Sequence, residues 1–100
     1  MRLFMYSIYD TCAGAYNRPF CDQADGAAIR AFGDIAQDAD HPFGKHPEHY
    51  QLFRLGTFDD QSATIELETP VCIAKAHELV AKVQRTIVND LNSQELDHAT

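Results

Sequence analysis

The chain has 100 residues, 45% of them hydrophobic and 23% charged, and its 8 basic and 15 acidic side chains give a net charge of -7. That length and balance suit one folded domain around a single core. They disfavour two functions: no apolar run approaches the roughly 20 residues of a membrane span, and the acidic field opposes duplex binding driven by surplus Lys and Arg.

Residues 2–9, Arg-Leu-Phe-Met-Tyr-Ser-Ile-Tyr, are nearly all strand formers. They lack the cleavage site of a signal peptide, so a cytoplasmic location is expected. Leu3, Met5 and Tyr9 alternate with Phe4, Tyr6 and Ile8, which predicts a central strand covered on both faces. Asp10 to Gly14 read as a turn. Residues 15–21 follow as the irregular second strand of a hairpin, because Pro19 favours an edge or a bulge. A helix is predicted from about residue 23 to 37, capped by Asp22 or Asp25 and facing the core with Ile29, Phe32 and Ala36. Gly33 beside Phe32 suggests close approach to the sheet.

Residues 39–49, with two prolines and a glycine, read as a loop. A third strand over Tyr50–Phe58 and a fourth over Ala63–Glu68 meet at the turn Asp59-Asp60-Gln61-Ser62. Alternation puts Ile65 and Leu67 inward, with Thr64, Glu66 and Glu68 in water. From Val71 to Leu91, Ala76, Leu79, Val80, Val83, Ile87 and Leu91 recur at helical spacing. The predicted organisation is one α+β domain over residues 1–91. It has ββαββα order, an antiparallel sheet of about four strands, helices on one face, and a fraying polar tail over 92–100.

Cys12, Cys21 and Cys72 are odd in number and lack C-x-x-C spacing, so no disulfide framework is expected; Cys21 and Cys72 read as small core fillers. His41, His46 and His49 with Glu48 are metal-ligand types, but they match no zinc motif, and prolines follow His41 and His46. Their loop reads as one whose prolines and histidines fix its path, with no metal or cofactor. Asp59-Asp60 reads as a turn, and no nucleophile elbow, phosphate loop or dinucleotide fingerprint is present. The chain is therefore expected not to be an enzyme.

The set that stands out is aromatic and cationic: Tyr6, Tyr9, Tyr16, Phe20, Phe53 and Phe58, with Arg2, Arg18 and Arg54. Exposed on a sheet, such side chains stack on bases and contact phosphates; turned inward, they make a core or a dimer interface.

Several blocks keep a recognisable order: Ser7-Ile8-Tyr9-Asp10, Ala15-Tyr16-Asn17-Arg18-Pro19-Phe20, Ala28-Ile29-Arg30-Ala31-Phe32, His46-Pro47-Glu48-His49-Tyr50, Leu52-Phe53-Arg54-Leu55-Gly56 and Thr57-Phe58-Asp59-Asp60. Over roughly residues 5–75 the chain resembles the short nonstructural protein of gokushoviruses, circular single-stranded-DNA phages of the Microviridae. Where the resemblance leads one to expect a second aromatic after Phe20, the chain has Cys21. The resemblance implies a nonstructural role, in DNA binding or in assisting genome synthesis and packaging, and it transfers no catalytic residue.

Together these readings predict a nonenzymatic protein that binds single-stranded DNA during genome replication or packaging. Arg18 and Arg54 would meet phosphates, Tyr16, Phe20 and Tyr9 would stack on bases, and Arg2 and Lys45 would lie at the periphery. The alternative is an acidic homodimeric adaptor for phage replication or capsid-assembly proteins. Dimerisation is expected in either case. A metal-dependent enzyme using His41, His46 and His49 is a third possibility.

Overall fold

The computed structural model describes residues 1–81. The expected helix positions Val83, Ile87 and Leu91 and the tail 92–100 lie outside the described residues. The architecture is α+β, as the alternation of patterns predicts. Strand β1 (Arg2–Asp10) is followed by two short strands, β2 (Ala15–Tyr16) and β3 (Phe20–Asp22), then helix α1 (Asp25–Ala36). A four-residue helix α2 (Pro42–Lys45) and a 3-10 turn (Pro47–His49) lead into β4 (Tyr50–Asp59) and β5 (Thr64–Lys75). A further helix, α3, opens at Ala76 and is described to residue 81.

The sheet has five strands, all antiparallel, in the order β2-β1-β4-β5, with β3 pairing the same edge of β1 as β2 does. The expected irregular second strand is thus two fragments with Asn17, Arg18 and Pro19 between them. Pro19 cannot donate to a ladder. The gap is tied down by Ser7, whose buried hydroxyl donates to the Asn17 carbonyl at 2.6 Å, while the Asn17 N–H donates to the Ile8 carbonyl at 2.8 Å.

Strand β1 is central, as its apolar run predicts. Its even residues face the helices: Tyr6 and Ile8 are buried with Leu52 of β4, Ala28, Phe32 and Ala36 of α1, and Ala76. Phe4, Phe20, Phe43 and Tyr50 pack against this core, as do Ile29, Leu79 and Val80. The expectation of cover on both faces fails, because among the described residues every helix packs on this one side. Gly33 accordingly lies not against the sheet but beside Leu79, whose Cδ1 would sit 3.6 Å from an added Cβ.

Five local expectations are also corrected. Helix α1 starts from Ala24 with no side-chain cap. Asp22 instead accepts from the Gln23 N–H, and Asp25 is drawn into a network described below. The segment 39–49 is not a plain loop. Pro42 and Pro47 stand at the first turn of α2 and of the 3-10 turn, where a missing N–H costs nothing.

The fourth strand is much longer than expected, and β5 absorbs Val71–Lys75, the start of the segment for which the periodicity predicts a helix. Pro70 is tolerated because β5 is an edge strand. Moreover, the ladder passes from Arg54↔Val71 to Gly56↔Leu67, skipping Glu68, Thr69 and Pro70. Ile65 and Leu67, expected inside, are 53% and 78% exposed, because they point away from the helices. All three cysteines are exposed and free, so Cys21 and Cys72 are not core fillers.

Candidate nucleic-acid interface

Cross-strand partners share a face, so the register assigns every paired side chain to one side of the sheet. On the helix side lie Arg2, Asp10, Asp22, Arg54, Asp59 and Glu66, with Phe4, Tyr6, Ile8, Phe20 and Leu52. On the other side Leu3, Met5, Ser7 and Tyr9 of β1 meet Tyr16, Cys21, Phe53, Gly56, Phe58, Ile65, Leu67 and Cys72 on neighbouring strands. Among the paired residues, this open face carries no carboxylate, and its one charge is Lys75, opposite Gln51. Over its paired strands, a chain of net charge -7 therefore carries one apolar, aromatic and nearly uncharged side.

At one end of that side three rings meet. Tyr9 and Tyr16 are 4.8 Å apart between centroids, and Phe53 stands edge-on to both, at 6.1 Å from Tyr9 and 5.5 Å from Tyr16. Tyr16 is 46% exposed, which leaves ring surface for a further aromatic partner. Arg18 follows two residues later in the gap between β2 and β3; it is exposed, and no carboxylate pairs with it among the described residues.

The other expected site residues are not brought here. Phe20, with its centroid 5.6 Å from that of Tyr6, is on the helix side, where it lines an apolar hollow with Ile8, Phe32 and Phe43. The five-residue stretch from Tyr16 to Phe20 thus sends its two rings to opposite faces. Arg2 is on the helix side, 3.6 Å from Glu66. Lys45 is exposed at the end of α2, away from the aromatic cluster in the chain's layering.

Arg54 has a structural assignment. Its NH1 donates to Asp25 Oδ2 at 2.6 Å and its Nε to Glu68 Oε1 at 2.7 Å, leaving the side chain 27% exposed. The Tyr6 hydroxyl donates to the other Asp25 oxygen at 2.7 Å. The network joins β1, α1, β4 and β5, and its charge-assisted bonds hold the helix start to the sheet. The hydrogen bond to Glu68 and the nearby Asp25 charge raise the Arg54 pKa, while burial and then the Asp25 hydrogen bond push the Tyr6 phenol well above its ordinary range. An arginine already holding two carboxylates is poorly disposed to take a phosphate. Sequence reasoning missed Asp25 because its partners lie 19 and 29 positions away.

The loop histidines separate as well. His41 Nδ1 accepts from the Phe43 N–H at 3.1 Å and its ring packs on Phe43, so it caps α2. His46, Glu48 and His49 instead converge, with one ligand atom from each lying within 4.8 Å of the others.

No curated protein and no solved structure matches the chain. The family model described as Phage ORF5 protein matches residues 3–79, which hold β1 but for Arg2, the whole of β2 to β5, and α1 and α2. The chain belongs to the Phage ORF5 protein family.

Proposed function

We propose that the chain is a nonenzymatic single-stranded-DNA-binding protein of a gokushovirus-like member of the Microviridae, assisting genome replication or packaging. The observation that carries this reading is the Tyr9–Tyr16–Phe53 cluster on a sheet face from which every carboxylate among the paired residues is turned away. Every base has a π-face, so stacking on such a platform needs no sequence readout. Separation of charge by face removes much of the local repulsion that the net charge implies. Tyr16 and Tyr9 stack on bases, Phe53 buttresses them, and Arg18 meets a phosphate; Lys75 lies on the same face. Arg2, Lys45, Arg54 and Phe20 have no direct part.

Titration of a fluorescent oligonucleotide at low salt tests this. Tyr16→Ala should weaken binding by about 1–3 kcal/mol, the usual worth of one stacked base, without lowering the melting temperature. With few phosphate contacts, the logarithm of affinity should fall with that of salt by only about 0.7 per contact. No binding by the wild type at low salt refutes the proposal.

A second reading, a homodimeric adaptor, is favoured by the other half of the same face. There the exposed Ile65 and Leu67 lie beside the half-buried Leu3 and Phe58. A two-fold contact through this patch would bury it and leave the acidic side outward for basic phage replication or capsid proteins. Light scattering on the wild type and Leu67→Asp decides: a dimer that the substitution dissociates supports this reading, and a monomeric wild type removes it.

A further inference from the structure

We propose that His46, Glu48 and His49 form a binding site for one divalent transition-metal ion of the zinc type. The argument starts from the backbone. A 3-10 turn eclipses positions i and i+3, and the turn Pro47–His49 therefore lays His46 over His49, with ring centroids 5.4 Å apart and planes 22° from parallel. Glu48 reaches between them: its Oε1 is 3.8 Å from His46 Nδ1 and 3.5 Å from His49 Nε2. Ligand bonds of about 2.1 Å at a tetrahedral ion put donor atoms about 3.4 Å apart. The donor atoms are thus near the required spacing, with one ligand atom of each residue within 4.8 Å of the others; binding turns one imidazole out of the stack so that both in-plane nitrogen lone pairs aim at the ion.

The donor set is two imidazoles and one carboxylate, which suits zinc-type ions and leaves a fourth position for water. Prolines 42 and 47 fix the path of the segment, so little backbone freedom is lost on binding.

His49 is also supported from behind. Its carbonyl accepts from the Thr11 N–H at 2.9 Å and the Thr11 hydroxyl at 3.1 Å, and its Nδ1 lies 3.4 Å from Cys12 Sγ. With Nε2 toward the carboxylate and Nδ1 toward the thiol, the ring has the arrangement of a metal-bound histidine oriented by an outer partner. Cys12 therefore acts as a positioning residue, not a ligand of the same ion. His41 is excluded by its capping role.

Equilibrium dialysis of the full chain against zinc chloride, repeated with cobalt as a spectroscopic probe, tests the proposal. One equivalent should be retained, and the cobalt spectrum should lack intense thiolate charge-transfer bands. His46→Ala and His49→Ala should each lower affinity at least tenfold, Cys12→Ala roughly tenfold or less, and His41→Ala not at all. Circular dichroism of each variant separates ligand loss from unfolding. The assignment is overturned if the wild type retains no ion, or if a His46→Ala/His49→Ala double variant that remains folded retains it undiminished. Loss of retention on replacing Cys21 and Cys72 alone would also overturn it.

Discussion

Both faces of this sheet carry aromatic and aliphatic side chains, yet they put them to opposite uses. Under the helices, Tyr6, Ile8 and Leu52 are sealed against α1, and Asp25 of α1 and Glu68 of β5 take up Arg54. On the other side, Tyr9, Tyr16 and Phe53 gather at one end while Ile65 and Leu67 stand in solvent at the other. The difference teaches that an aromatic in a strand acquires its role from the parity of its position. Tyr6 and Tyr9 are three residues apart, so one is core and the other surface.

The contrast between the faces should be sharpest at two leucines on opposite sides of the sheet, Leu52 and Leu67. Leu52→Ala should cost about 2–5 kcal/mol, as for other buried leucines, whereas Leu67→Ala should stay within about 0.5 kcal/mol in the monomer; urea melts distinguish them. A large loss at Leu67 would mean that the open face is covered in solution.

Gly56 should rank next. A Cβ there would stand 2.1 Å from the Glu66 carbonyl oxygen, so Gly56→Ala forces the β4–β5 ladder apart. A loss of about 1–3 kcal/mol is expected, the range for overpacked sites, read from the same melts.

Arg54→Met should lower the melting temperature, by an amount held down by the partial exposure of the network. Provided the protein remains folded, it should leave oligonucleotide affinity unchanged, whereas Arg18→Ala should lower affinity without shifting the melt. The reverse pattern would return Arg54 to the binding face.

Tyr6 offers a test by pH. Its folded pKa lies above its unfolded value, so its contribution to stability is complete below the unfolded value of about 10 and declines as pH rises through that value toward the folded one. Denaturation midpoints between pH 9 and 11 should therefore fall more steeply for the wild type than for Tyr6→Phe.

One small effect should have the opposite sign. Gly33→Ala places its Cβ in ordinary contact with Leu79 and should stabilise the helix by about 0.5–1 kcal/mol.

Much of the fold could be read in the residues themselves. Alternation at β1, the helical spacing of Ile29, Phe32 and Ala36, and turn chemistry at Asp10–Gly14 and Asp59–Ser62 are local signals, because they reflect backbone geometry and nearest neighbours. Pro19 announced the break between β2 and β3 for the same reason. The candidate interface was half legible: Tyr9, Tyr16 and Arg18 were named from the sequence, and Phe53 was among the aromatic set. Phe20 and Arg54 were read to the wrong place. For Phe20, the two-residue period across the gap at Asn17–Pro19 cannot be counted through an irregular segment. For Arg54, its partners Asp25 and Glu68 are distant in sequence and arrive only when α1 docks and β5 pairs.

The sequence by itself determined an acidic α+β domain with a central apolar strand, since composition and periodicity are properties of the chain alone. Tertiary structure decided the rest. It decided which face the helices cover, that the strands' carboxylates collect on that face, and that His46, Glu48 and His49 converge while His41 is spent on a cap. These outcomes depend on register and docking, where one residue of slip exchanges inside for outside.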